Sequence, residues 1–227
     1  MEIVPGIHQV DGVNGNSYVV DREVLVVIDT GMPGSGRKIL GYIRDTLHRR
    51  PAEIGSILLT HYHMDHTGGV AALKKAAGTA RVAVHEADAG YVSGRTAPPR
   101  FGGTRGMLLG LAETVLGPGP FEPDLLVRDG DRVDGLRCIH LPGHTPGSIG
   151  LLDEGSAVLF CGDTLRFDGR SLNRGPAQFV MDPVQERESI RRMAELDFDT
   201  LLVGHGVPLL PDASARVREF ARGLPPG

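Results

Sequence analysis

Between Thr60 and Gly69 the chain reads Thr-His-Tyr-His-Met-Asp-His-Thr-Gly-Gly, which places three imidazoles and one carboxylate in six positions, His61 to His66. Neutral imidazole and carboxylate are ligand types that suit zinc, iron or manganese. In extended backbone His61 and His63 project to the same side, so they can grip one ion as a pair. Asp65 and His66 follow where the chain turns toward a helix beginning near Thr67, a turn that lets them face a second ion. The bland alternative is a polar loop whose histidines satisfy one another, and three His with one Asp at this density weigh against it.

Further ligand types recur in one arrangement. Ile139-His140-Leu141 leads into Pro142-Gly143-His144-Thr145-Pro146-Gly147, Ala157-Val158-Leu159-Phe160 into Cys161-Gly162-Asp163-Thr164, and Leu201-Leu202-Val203 into Gly204-His205-Gly206. Each is an apolar run ending in a glycine-bearing turn that carries one candidate ligand. Rigid scaffolds display functional groups on such loops, and turns of this kind sharing one rim would converge on a single site.

The His-x-His-x-Asp-His stretch, His144, Gly162-Asp163 and Gly204-His205 together resemble the metallo-β-lactamase superfamily of metallohydrolases, and Asp29-Thr30-Gly31 resembles its first motif. The resemblance covers nearly the whole chain. It implies an α/β fold, the four-layered αββα sandwich, built as a single domain over residues 1–227 with the site between the edges of two sheets. It implies one metal on His61, His63 and His144, a second on Asp65, His66 and His205, and Asp163 bridging both. The implied cofactors are two divalent ions, zinc first, with iron or manganese as the other options. The implied enzyme is a dinuclear hydrolase that uses a metal-bridging hydroxide to cleave an ester, thioester, lactone or phosphoester, with Asp65 as the catalytic proton shuttle. Asp29 is expected to be a buried acceptor behind the ligands.

Individual branches fit less well. The chain lacks length after His205 for the helical glutathione-binding domain of glyoxalase II, and Leu165 to Arg170 departs from that family's continuation. Quorum-sensing lactonases carry a Tyr where Thr164 to Phe167 stand, nucleases carry an inserted domain, and flavodiiron proteins use Glu at the position of His63. A mono-iron, persulfide dioxygenase-like sulfur oxidation is the alternative reaction, and a non-catalytic binding module is a third reading.

The elements that must position these residues are legible as periodicities. Ser17 to Val20 and Val24 to Ile28 read as a hairpin. Ser35 to His48 has helical spacing at Ile39, Leu40, Ile43 and Leu47, and Pro51 ends it. A helix over about Gly69 to Ala77 and a strand over Arg81 to Val84 complete the first half, with His85 at the strand end. Strands follow near Leu125–Val127, Arg137–Leu141, Ile149–Leu152, Ala157–Cys161 and Leu201–Val203, with helices over Gln185–Leu196 and Ala213–Arg222. An irregular, lid-like insertion is expected around 93–123, where Met107, Leu108, Leu111 and Leu116 either cap an apolar pocket or pack on another subunit. It and the stretch Arg166 to Arg174 are the expected selectors of substrate, with Arg170 and Arg174 as substrate-binding residues.

The 227 residues carry a formal charge of −4, 41% hydrophobic and 23% charged residues, and two cysteines. With a pI near 6.1 nothing points to nucleic acid. The first residues lack the basic start and apolar stretch of a signal peptide, and no run approaches a membrane span. The expectation is a cytoplasmic protein that acts on a small molecule, with no nucleic-acid or membrane partner and a homodimer as one option. Cys138 and Cys161 lie in apolar runs and read as buried thiols.

Overall fold

Short β-branched runs separated by glycine turns give this chain its sheets. The structure is a computed structural model that describes residues 1–99 and 117–225. Two units partition it: Met1–Val84 with Ala89–Leu126, and His85–Asp88 with Val127–Gly227.

In the first unit, β1 (Glu2–Val4), β2 (Ile7–Gln9), β3 (Tyr18–Asp21), β4 (Leu25–Ile28), β5 (Ile54–Leu58) and β6 (Arg81–His85) lie in sequence order in one sheet that ends on β7 (Leu125–Val127). Strands β1 to β4 pair antiparallel, whereas β4, β5 and β6 run parallel. Parallel strands need crossovers, and these are α1 (Gly36–Asp45) and α3 (Val70–Ala77), the latter preceded by the single turn α2 (Met64–Thr67). Ile39 and Ile43 of α1 and Val70, Leu73 and Ala77 of α3 form helical stripes packed with Leu25, Val27, Ile54 and Ile57. All four residues of β4 are buried, as expected of a strand covered on both faces. The short helix α4 (Ala89–Val92) follows β6.

In the second unit the sheet order is β14 (Thr200–Leu202), β11 (Val158–Phe160), β10 (Ile149–Asp153), β9 (Leu136–His140), β8 (Arg132–Val133), with β11 and β14 parallel and the rest antiparallel. Helices α5 (Pro183–Ala194) and α6 (Ala213–Arg222) pack Ile190, Met193, Ala213, Val217 and Ala221 against Ile139, Leu159, Leu201 and Val203. Asp182 caps α5 by accepting from Val184 N at 2.9 Å and Gln185 N at 3.0 Å, with Pro183 at the first helical position.

Element types follow the sequence closely, with a few departures. Helix α1 is shorter than Ser35–His48. The strands β1 and β2 carry three residues each, too few for a period to show. The stretch Arg166 to Arg174, for which no strand was expected, contains the hairpin β12 (Arg166–Phe167) and β13 (Leu172–Asn173), closed by Asp168 Oδ1 accepting from Arg170 N and Ser171 N at 2.8 Å each. Met107 to Leu116, the apolar part of the expected insertion, lies outside the described residues. Cys138 and Cys161 are free and buried. Burial pushes each thiol up to about 12, so neither is a thiolate at neutral pH. Among the described residues, no helix is long and apolar enough to cross a membrane.

Candidate metal centre

The first unit places four of the candidate ligands on one loop. Strands β4 and β5 pair in register through Ile28 and Leu58, so the loops leaving their C-terminal ends are neighbours. Asp29 stands on the first, buried and with φ of 55°, a left-handed backbone that Asp tolerates better than most side chains. Its Oδ1 accepts from Thr60 N at 2.8 Å, and its Oδ2 from Thr60 Oγ1 at 2.7 Å and His66 Nδ1 at 2.7 Å. One carboxylate thus holds both ends of the loop. Thr30 adds a second tie, its N and Oγ1 donating to His66 O at 2.7 and 2.9 Å.

These bonds fix tautomers. With Nδ1–H of His66 on Asp29, the nitrogen that presents a lone pair is Nε2. Thr60 Oγ1 gives its proton to Asp29, so at 3.0 Å from His61 Nδ1 it accepts, which leaves Nε2 of His61 as the ligand nitrogen. That atom lies 3.1 Å from His63 Nδ1. Two nitrogens on a tetrahedral zinc with bonds of about 2.0–2.1 Å would be about 3.3 Å apart, so the pair fits one ion. His66 Nε2 and Asp65 Oδ2 are 3.9 Å apart. His63 caps α2, receiving His66 N at 2.9 Å on its carbonyl, and this turn separates the His61–His63 pair from the Asp65–His66 pair. Gly15 makes the loop's path available: with φ of +74°, a Cβ there would lie 2.0 Å from the Asp65 carbonyl oxygen.

The second unit holds the other three. Asp163 follows β11 and His205 follows its parallel neighbour β14, and Gly204 N donates to Gly162 O at 2.7 Å to join the two turns. Asp163 Oδ2 stands 3.4 Å from His205 Nε2 and 3.7 Å from His144 Nε2. Arg166 Nη2 donates to the same oxygen at 3.1 Å. Gly206, at φ of +115°, lets the His205 turn lie on β12; a Cβ would stand 2.1 Å from Phe167 O. His144 sits on the β9–β10 turn, which is pinned by buried Asp88: its Oδ2 accepts from Thr145 Oγ1 and its Oδ1 from Gly147 N, both at 2.7 Å. Asp88 shows no signal in sequence, because its partners are 57 and 59 residues away.

The two arginines expected at substrate occupy different settings. Arg174 is bound to buried Glu186, its Nε donating at 2.6 Å with Nη2 on the same oxygen. Burial raises the Glu186 carboxyl, and the Arg174 guanidinium opposes that rise. Arg170 lies exposed in the β12–β13 turn.

His85 is buried and stacks on His140 with centroids 4.0 Å apart and planes 12° off parallel. Burial first, then the nearby His140, push its pKa down to about 4. The unfolded chain, with a His pKa near 6.5, therefore takes up the proton first. Stability from this site is intact above about 6.5, falls as the pH drops toward 4 and is flat below, a loss approaching about 3 kcal/mol. The check is the difference in urea midpoints between wild type and His85→Phe, which keeps the stack: that difference should shift against wild type between pH 6.5 and 4.

A family model for the metallo-β-lactamase superfamily matches residues 10–205. The chain belongs to the metallo-β-lactamase superfamily. Among relatives, a hydroxyacylglutathione hydrolase of Shewanella loihica is 32% identical over 196 residues, covering 86% of this chain and 58% of that protein. The chain thus spans little more than half the length of that relative. The acyl-coenzyme A thioesterase MBLAC2 of Bos taurus is 31% identical over 211 residues, covering 79% of this chain and 68% of its own length. Among solved structures, TTHA1623 in a di-iron-bound form shares 28% identity with a TM-score of 0.69, covering 94% of this chain and 98% of that one. The metallo-β-lactamase fold binds divalent metals, and the donor chemistry of both ligand groups fits them: lone-pair nitrogens and carboxylate oxygens at 3.1 to 3.9 Å within each group.

Proposed function

We propose that this metallo-β-lactamase superfamily member is a hydrolase with two divalent ions, one held by His61, His63 and His144 and the other by Asp65, His66 and His205, with Asp163 shared. The observation that carries the reading is the donor set itself, five imidazoles and two carboxylates, with the loop of His61 to His66 anchored by buried Asp29 in one unit and the His144 turn anchored by buried Asp88 in the other. The set contains no thiolate and suits zinc first, iron or manganese next. Two such ions, when bound, supply Lewis acidity toward a substrate oxygen and lower the pKa of water toward neutrality.

The chain's own residues do the rest. Asp29 holds His66 as the Nδ1–H tautomer, and Thr60 does so for His61. Arg166 donates to Asp163 and orients its carboxylate. Asp65, half-buried in the first turn of α2, has two carboxylate oxygens, one for an ion and one to take the proton released as water attacks and return it to the leaving group. The similarity to a hydroxyacylglutathione hydrolase and an acyl-coenzyme A thioesterase favours thioesters and esters over lactones and phosphoesters as substrates. Arg170 and Arg174 are proposed for the anionic part of such a substrate, and a cytoplasmic setting agrees with two free, buried cysteines.

Asp65→Asn is expected to lower kcat/KM by about a hundredfold or more, the scale of lost acid–base assistance added to a weakened ligand. Metal content of protein purified without added metal, read by mass spectrometry, should be two equivalents per chain. Unaltered turnover in the variant removes Asp65 from the chemistry, and saturation at one ion removes the dinuclear assignment. One iron per chain, with sulfur oxidation in place of hydrolysis, would establish the mono-iron reaction instead.

A further inference from the structure

The first unit contains a cavity of about 210 Å³ beside the ligand loop, with Tyr62, His63, Tyr91, Val92, Pro120 and Phe121 among its walls. Tyr62 and Tyr91 stack with ring centroids 4.3 Å apart and planes 16° off parallel. Tyr62 meets the His63 ring edge-on at 4.7 Å. Val92 packs with Val84 and Ala89, and half-buried Tyr62 and Phe121 lie against that cluster. None of the described residues that line the space is Lys, Arg, Asp or Glu. The nearby cation in sequence, Arg95, is held by Glu122 Oε1 at 2.7 Å.

Small-molecule sites are concave and walled mostly by aromatic and aliphatic side chains with a few polar groups, and this cleft has such a wall beside a ligand loop. The space is smaller than the roughly 300–1,000 Å³ that takes a whole small molecule, which makes it a seat for one arm. Among the described residues the wall offers no charged partner to the ionised parts of a glutathione- or coenzyme-like carrier. His63 is at once part of this wall and a proposed metal ligand, so a group seated here holds the adjoining carbonyl beside the ligand loop.

The geometry points to this cavity as the seat of an apolar acyl or aryl arm of the substrate, packed on the Tyr62–Tyr91 stack. The inference rests on the hydrolase reading for what becomes of the arm, and not for its binding. Alkyl chains gain by area, and aryl groups add an offset stack or edge contact on the tyrosines.

The test uses two series on the full chain. Hydrolysis of p-nitrophenyl esters from acetate to octanoate is measured on metal-loaded protein, and calorimetric binding of the matching primary carboxamides on protein without added metal. Both should improve about fourfold per added methylene and level off once the cavity is full. Tyr91→Ala should reduce the hexanoate-to-acetate ratio of kcat/KM at least tenfold with metal content unaltered, and Tyr91→Phe should preserve the ratio. Gly119→Leu is the second variant: Gly119 lines the space and a Cβ there meets none of the described atoms within 4 Å, so a leucine placed there is expected to narrow the space and should shorten the preferred chain even if Tyr91→Ala fails to fold. Graded carboxamide binding with no ester hydrolysis would sustain the arm site and overturn the hydrolase reading. Ester hydrolysis with no dependence on chain length, and no carboxamide binding, would overturn the arm site alone.

Discussion

Asp163→Ala is expected to lower hydrolysis by about a thousandfold or more, equivalent to about 4 kcal/mol of transition-state stabilisation, and to cut bound metal to one equivalent or fewer. Asp163 is buried, and its Oδ2 lies within 4 Å of two imidazole nitrogens, His205 Nε2 at 3.4 Å and His144 Nε2 at 3.7 Å. Alanine leaves the two imidazoles without the negative charge that would offset the ions proposed beside them. It also strips Arg166 of the acceptor at 3.1 Å, and a half-buried guanidinium beside two imidazoles opposes cation binding further. Metal analysis and kcat/KM on one preparation check both parts. An Asp163→Ala protein that keeps two ions and ordinary turnover would show that the carboxylate serves only to pair Arg166.

Asp29→Ala should cost about 4 kcal/mol of stability, because three buried donors, Thr60 N, Thr60 Oγ1 and His66 Nδ1, lose their acceptor at about 1–3 kcal/mol each with partial relaxation. Alanine at the positive φ adds about 1 kcal/mol within that sum. For a chain of this size the thermal midpoint should fall by about 10 °C. Asp29→Asn separates positioning from stability. Asparagine tolerates the backbone and keeps an oxygen for Thr60 N, but its NH2 faces both His66 Nδ1 and Thr60 Oγ1, so the Thr60 hydroxyl loses its acceptor and turns its proton toward His61 Nδ1. Each imidazole must then accept at Nδ1 and carry its proton on Nε2, the nitrogen proposed for the metal. The expected outcome is a protein of near-normal stability whose ions bind 10- to 100-fold more weakly, with a matching loss of activity. Metal titration of Asp29→Asn that matches wild type would limit Asp29 to a structural role.

What the sequence determined by itself is local. Apolar runs before Gly31, Gly143, Gly162 and Gly204 wrote the strands and the turns that follow them, because strand preference and glycine tolerance act over a few residues. The donor types at His61, His63, Asp65 and His66 were legible for the same reason: their spacing along one loop is short. The type of each long helix was legible too, since Ile39 with Ile43, and Ile190 with Met193, repeat within a single stripe. Tertiary structure decided everything that depends on a partner far along the chain. Asp29 reaches Thr60 and His66 across 31 and 37 residues, and only that contact selects the tautomers. Asp88 holds the His144 turn from 57 residues away. Arg174, an open cation in sequence, lies on a Glu186 that burial makes costly to leave unpaired. Tyr62 and Tyr91 became a wall because β5 and β6 are parallel neighbours, which brings the loops after them to the same edge of the sheet. A side chain's type is fixed by its codon and its direction by local backbone, but its protonation and its company are set by whatever the fold packs against it.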